Sequence, residues 1–180
     1  METRVCANCG HQMRPRTRSH ALYCSTRCRV AAHRKNTIPR QMRTHNRWIN
    51  HDHDKRPINP RTGQLASSTN PNTWSTYAQA RSARRPLGYV LGDGIGCIDL
   101  DHCIHTDGTL TPAAQTIVNF YPHNWIEISP SGHGLHIWGY ATPQPGFKRE
   151  WRGQMIEFYS RDRYITITGR TYQHGTLETL

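Results

Sequence analysis

Acidic side chains are scarce in the first third of this chain, where basic ones are dense. Residues 1–56 hold thirteen Lys/Arg against only Glu2, Asp52 and Asp54, a net +10, whereas residues 57–180 hold ten basic and nine acidic groups. A basic head on a nearly neutral body suggests a polyanionic partner, most simply nucleic acid, with a solubilising arm as the plainer alternative. Long apolar runs are missing too. Mean hydropathy is −0.78, and no stretch approaches the length of a membrane span, so we expect no membrane partner. The start, Met1-Glu2-Thr3-Arg4, lacks the apolar segment of a signal peptide, so the expected location is cytoplasmic. No repeat and no low-complexity tract interrupts the 180 residues, a length that suits one ordinary domain with a small appendage.

Cysteines are present but not spread like a disulfide framework. Four of the six fall within residues 6–28. Cys6-Ala7-Asn8-Cys9 is a CxxC pair followed by Gly10, and fourteen residues separate it from Cys24-Ser25-Thr26-Arg27-Cys28. Two close thiolate pairs across a short loop suit tetrahedral Zn²⁺, with Gly10 easing the turn. A segment of about 35 residues buries too little to fold without such a staple. Ser25 is a candidate helix cap, with the helix carrying Cys28 and running through Lys35. His20 or His33 are alternative ligands. The segment resembles small bacterial and phage zinc fingers. We place the zinc finger at residues 1–36, a polar basic linker at 37–47 and the body at 48–180. Cys97 and Cys103 read as buried structural thiols, and His51-Asp52-His53-Asp54 as solvated surface.

The body mixes both kinds of element. Asn72-Thr73 predicts the cap of a helix from Trp74 to Arg84, ended by Pro86, and Thr111-Pro112 that of a second helix through Phe120. Strands are expected at 88–91 and 95–100 around Gly92-Asp93-Gly94. Further strands are expected at 125–128 and 135–140 around a Ser/Gly/Pro turn, with 154–159 and 164–168 as another pair. The fold class is therefore α+β.

Three features carry chemistry. Asp99 and Asp101 close the run Gly94–Asp101, and strand alternation puts them on one face, about 7 Å apart, with Ile98 and Leu100 opposite. Such carboxylates repel unless a cation lies between them, and hard divalent ions that also hold phosphates take oxygen ligands of this kind. The turn Ser129-Pro130-Ser131-Gly132-His133-Gly134 leads to His136. Its amides, hydroxyls and imidazole make an anion cradle fit for a triphosphate. Glu157 is a charge between Ile156 and Phe158 on a strand.

Asp99–Cys103, Glu127–His136, Ile156–Ser160 and Arg163–Gly169, in that order, resemble the bifunctional DNA primase/polymerase domain of phages and plasmids, in the archaeo-eukaryotic primase superfamily. Lys55-Arg56-Pro57 and Asn72-Thr73-Trp74 add to the resemblance, which covers roughly residues 48–175. It implies an RRM-like catalytic core and a nucleotidyltransferase that joins nucleoside triphosphates on a single-stranded DNA template in phage or plasmid replication. It further implies two Mg²⁺ or Mn²⁺ ions on Asp99, Asp101 and Glu157. His136, with Ser129, Ser131, Gly132 and the loop amides, would take the phosphates. Lys55 and Arg163 would be further phosphate contacts, and Tyr164 would lie against the sugar.

The chain departs from larger relatives in lacking a P-loop, Gly-x-x-x-x-Gly-Lys-Ser/Thr, so unwinding would come from a separate replicative helicase as partner, or this chain is a fragment or a reduced standalone form. Two other readings stand beside this one. A zinc-finger DNA-binding regulator on an inactive polymerase-like fold has no need of clustered carboxylates. A rolling-circle-type nicking initiator separates its two histidines by one residue, whereas His133 and His136 are separated by two.

Overall fold

The computed structural model describes residues 4–6, 9, 11–13, 21–35 and 38–180, the side chains of 31–35 excepted. Gly10 and His20 and the side chain of His33 lie outside that description. The chain divides into two units, residues 1–37 and 38–180.

In the first unit, Val5 bridges Gln12, and Cys6 N–H donates to His11 O at 2.9 Å. These contacts set residues 4–6 antiparallel to 11–13. Helix α1 (Thr26–Lys35) starts where expected, because the Ser25 hydroxyl accepts from Cys28 N–H at 3.1 Å and satisfies a donor of the first turn.

The second unit opens with a four-residue helix, α2 (Arg40–Arg43), then β1 (Trp48–His51), β2 (Pro57–Ile58), a 3₁₀ turn at Pro71–Thr73, α3 (Tyr77–Ser82), β3 (Leu87–Val90) and β4 (Ile95–Leu100). It continues with α4 (Pro112–Phe120), β5 (Trp125–Ile128), β6 (Leu135–Tyr140), β7 (Phe147–Trp151), β8 (Gln154–Tyr159), β9 (Tyr164–Ile167), β10 (Thr171–Gln173) and β11 (Glu178–Thr179). Mixed and strand-rich, it is α+β. Among the described residues no helix is long and apolar enough to cross a membrane.

Four strands form one sheet in the order β2-β1-β3-β9, and the others form a second, β10-β5-β6-β4-β8-β7, with β11 parallel to the end of β6. Alternation along β4 builds two cores. Ile95 and Cys97 pack with Trp125, Trp138 and Tyr159 against Trp48, Tyr89, Ile165 and Ile167 of the other sheet. Ile98 and Leu100 point the opposite way, to Ala114, Ile117 and Val118 of α4. Helix α4 is capped by Thr111, whose hydroxyl accepts from Ala114 N–H at 3.2 Å, and has Pro112 in its first turn.

Four expectations are corrected. The helix after residue 73 begins at Tyr77, not Trp74. Thr76 is its cap in a reciprocal box with Gln79, while Ser75 pairs with Trp48 in extended conformation. The turn at 92–94 carries the chain from one sheet to the other, and β8 and β9 likewise lie in different sheets, β9 pairing with β3. Residues 38–47 are not a linker. Ile38 and Met42 are buried in the core, and Trp48 Nε1 donates to Met42 O at 3.1 Å. Strand β4 ends at Leu100, so Asp101 lies just beyond it.

Candidate active site

Register across the larger sheet aligns six polar side chains. Glu127 is the cross-strand partner of both Thr171 and His136. Asp99 is opposite His136 on one side and Glu157 on the other, and Glu157 is opposite Lys148. Directly paired strand residues share a face, so Thr171, Glu127, His136, Asp99, Glu157 and Lys148 make one row. It runs on the face turned toward the smaller sheet.

A cavity of about 480 Å³ opens along the middle of this row. From the larger sheet and its loops, Asp99, Asp101, Ser129, Pro130, Ser131 and His136 line it. From the other side come Lys55, Pro57, Ser68 and the stretch Asp162–Thr166. The geometry thus brings together Asp99, Asp101, Ser129, Ser131, His136, Arg163, Tyr164 and Lys55 of the residues singled out from sequence.

Local structure explains how they are held. The Ser129 and Ser131 hydroxyls are 3.0 Å apart, and His133 N–H donates to Ser131 Oγ at 3.2 Å. Gly134 sits where no side chain fits, since a Cβ there would meet Leu100 O at 2.7 Å. His133 O accepts from Cys103 and Ile104 N–H at 2.7 and 3.0 Å, which fastens the loop after Asp101 to the Ser/Gly turn. Arg163 lies over the Tyr159 ring at 4.2 Å. Tyr164 Oη donates to Lys55 O, and its ring crosses β3 at Gly88, where a Cβ would meet it at 2.7 Å.

Burial raises the Asp99 carboxyl above the usual carboxylate range, and Asp101 and Glu157 add to the rise while His136 opposes it. Asp99 Oδ1 is buried with no hydrogen-bond partner among the described residues and lies 3.8 Å from His136 Nε2. An orphaned carboxylate oxygen at a cavity wall, with Asp101 beside the same cavity, is a donor set that fits a hard divalent cation. His136 is buried, with 3% of its surface exposed. Burial alone would lower its pKa, but the hydrogen bond and charge of Glu127, with Asp99 and Asp101, outweigh that and raise it.

Two residues singled out from sequence are not brought to the cavity wall. Gly132 sits at the tip of the turn with φ +86°. Glu157 is engaged elsewhere: Tyr159 Oη donates to its Oε2 at 2.6 Å, and Lys148 Nζ pairs with its Oε1. These bonds hold its carboxyl below the usual range although burial opposes it. Asp99, Asp101 and Glu157 do not converge within 4.8 Å as the four cysteines do. His133 does not line the cavity, so the two histidines do not form a pair there.

Sequence reasoning missed Glu127, which is completely buried. A signal was present: an acid alternating with Trp125 on a strand whose other positions are apolar.

In the first unit, Cys6, Cys9, Cys24 and Cys28 place their sulfurs within 4.8 Å of one another, and could hold one metal ion. Asp52, His53 and Asp54 are similarly close, but Asp52 already accepts from Asp54 N–H, Arg56 N–H and the Arg56 side chain. Cys97 and Cys103 are both fully buried, outside any such cluster among the described residues.

No family model matches the chain. It is, however, similar to a DNA primase-polymerase of Nitratiruptor phage NrS-1, with 33% identity over an alignment 137 positions long that covers 69% of this chain and 19% of that protein. The chain thus spans about a fifth of the length of the phage DNA primase-polymerase it resembles.

Proposed function

We propose that this chain belongs to the primase/polymerase family and is a nucleotidyltransferase that joins nucleoside triphosphates on a single-stranded DNA template. One observation carries the reading: a single cavity is lined by Asp99 and Asp101 together with His136, Ser129, Ser131, Arg163 and Lys55. That combination sets metal-binding oxygens beside cationic and hydroxyl donors for phosphate. In this reading the larger sheet is the RRM-like core of the family.

Asp99 and Asp101 would hold Mg²⁺ or Mn²⁺, and Glu157, cross-strand from Asp99, is the third carboxylate that the resemblance implies. Two such ions, when bound, lower the pKa of an attacking 3′-OH and neutralise charge on the leaving pyrophosphate. The chain's own groups do the positioning. His136 offers Nε2 to the triphosphate from the floor of the cavity. The Ser129–Gly134 turn supplies hydroxyls and amides, and Lys55 and Arg163 supply positive charge from the opposite wall. Tyr164, tied to Lys55 O, presents its ring to the sugar. The four-cysteine unit would hold Zn²⁺ and grip template through the basic residues of the head, with a separate helicase supplying unwinding.

The test is nucleotide incorporation on primed and unprimed single-stranded templates, in Mg²⁺ and in Mn²⁺, beside an Asp99→Ala/Asp101→Ala control. Metal-dependent product that disappears in the control is expected, and the unprimed lane separates priming from extension. Tight DNA binding without any product overturns the reading in favour of a regulator. Deleting residues 1–37 should weaken template binding and flatten its salt dependence, and unchanged affinity would remove the head from the template site.

A further inference from the structure

Glu127 is a member of the polar row for which the proposed chemistry has no use. It is nonetheless entirely buried. A buried carboxylate costs several kcal/mol unless its oxygens are bonded, and its bonds are divided in an informative way. Oε1 faces His136 Nδ1 at 3.1 Å. Oε2 accepts from Thr168 N–H at 3.0 Å and Gly169 N–H at 2.8 Å. The Thr168 hydroxyl is 3.0 Å from Oε2 and 2.7 Å from Ile128 O, so its single proton serves one or the other. Gly169 has φ +67°, a conformation that glycine adopts without strain and that turns its amide toward Oε2.

The partners of the two oxygens lie on different segments: a strand of the larger sheet, and the connection by which the chain passes from β9 of the smaller sheet to β10 of the larger. His136 is on β6 of the larger sheet, which also carries Asp99. Thr168 and Gly169 directly follow β9 of the smaller sheet, whose Tyr164, Ile165 and Thr166 line the opposite side of the cavity. We infer that Glu127 is a positioning residue whose carboxylate ties the two walls of the cavity together and so sets where His136 stands against the nucleotide. The inference rests on reading the cavity as a nucleotide site. It needs no contact between Glu127 and substrate, because Glu127 acts through the imidazole. With Nδ1 held by Oε1, the ring cannot turn over, and Nε2 is left facing Asp99 and the cavity. A glutamine at 127 keeps the shape but has only one acceptor oxygen: with that oxygen on the Thr168 and Gly169 amides, its NH₂ meets Nδ1 only as a donor, so a proton on Nδ1 loses its acceptor.

The experiment is steady-state kinetics on the full chain for Glu127→Gln, Thr168→Val, His136→Ala and the Glu127→Gln/His136→Ala double variant, at a temperature where each is folded by circular dichroism. Glu127→Gln should raise KM for the nucleotide about tenfold or more, in line with loss of a partner that orients a ligand-binding histidine, with kcat changed much less. In the His136→Ala background the same change should add nothing. An unchanged KM, or losses that multiply in the double variant, overturns the inference. Thr168→Val, which keeps both backbone donors, should shift KM in the same direction by less, and it stands in if Glu127→Gln does not fold. If the parent protein incorporates no nucleotide, the reading of the cavity fails and Glu127 is judged separately by long-range ¹H–¹⁵N spectra of the His136 ring. A signal for a proton on Nδ1 that Glu127→Gln removes supports the tie, and a spectrum unchanged by the substitution overturns it.

Discussion

Two rows of side chains lie two residues apart on the same strands and the same face of the larger sheet. Trp125, Trp138, Cys97 and Tyr159 are cross-strand partners in one, and Glu127, His136, Asp99 and Glu157 in the other. The first row is dry core, packed with Trp48, Tyr89, Ile165 and Ile167 of the smaller sheet. Within it, Tyr89 meets Trp138 edge-on with ring centroids 6.1 Å apart, and Trp125 stacks on Trp138 at 6.2 Å. The second row reaches the cavity at His136 and Asp99, and among the described residues its carboxylates and imidazole are satisfied by one another, by Lys148, Tyr159, Thr168 and Gly169, or, for Asp99 Oδ1, by none. Face, strand and pleat are the same in both. What differs is the opposing surface: apolar side chains of the smaller sheet for the first row, and for the second the cavity at His136 and Asp99 with polar partners at Glu127 and Glu157. The apolar row holds the sheets together, and the polar row is free to be chemical because its neighbour supplies the stability.

The comparison is broken most sharply at the polar row's edge. Asp101→Ala should lower incorporation roughly a thousandfold or more, since it would remove an oxygen proposed to hold the metal, while the thermal midpoint measured without divalent ions stays within a few degrees. A comparable loss of Tm would make Asp101 a structural residue and end the contrast. The apolar row should respond the other way round. Trp138→Ala should cost about 3–5 kcal/mol in denaturant unfolding. Trp138→Phe should cost much less, because Trp138 Nε1 has no hydrogen-bond partner to lose among the described residues and only part of the ring volume is removed.

Smaller effects sharpen the contrast at its margins. Lys148→Met removes the exposed cation paired with the buried Glu157 carboxylate and should lower Tm by less than Trp138→Ala does, since Tyr159 Oη still donates to Glu157. A change in the Mg²⁺ dependence of incorporation would show that Glu157, once released, joins the carboxylates. The smallest effect is expected at Asp93, on the turn that carries the chain between the sheets. Arg47 Nε and Nη2 donate to its two oxygens at 2.7 and 2.9 Å. Those bonds hold its carboxyl below 3.8, although partial burial opposes them. A carboxyl whose folded pKa is depressed adds stability above its unfolded value and loses it as pH falls through the folded one. Asp93→Asn should therefore cost about 0.5–1 kcal/mol at pH 7, given its exposure. The two proteins should converge in Tm as pH falls below about 3.8, and a difference that persists there would assign the effect to packing.

Much of the site could be read residue by residue. The Ser129–Gly134 turn between two strands, the Thr111-Pro112 helix start and the thiol pairs follow from short-range rules, and they hold in the structure. Elements whose burial has no period were invisible. In β1 all four residues are buried, and in β7 the first four are exposed, so neither shows the alternation of a half-buried strand. The basic composition of 38–47 concealed Met42 and Ile38, two apolar side chains in a polar stretch that become core. Glu157 illustrates a different limit. Its face was legible, but its partners were not, because Lys148 reaches it through a strand pairing that no local pattern announces.

By itself, then, the sequence determined the chemical inventory and the faces: which thiols pair, which turn is rich in amides and hydroxyls, and that Asp99 points away from Ile98 and Leu100. Those follow from bond geometry and the two-residue period of a strand, which act over a few residues. Only the tertiary structure decided that β8 and β9 part into different sheets, that His136 stands between Glu127 and Asp99, and that Lys55 and Arg163 face the aspartates across one cavity. These depend on register and on pairing between residues far apart in the chain, set by the burial of whole rows at once rather than by any one residue's preference.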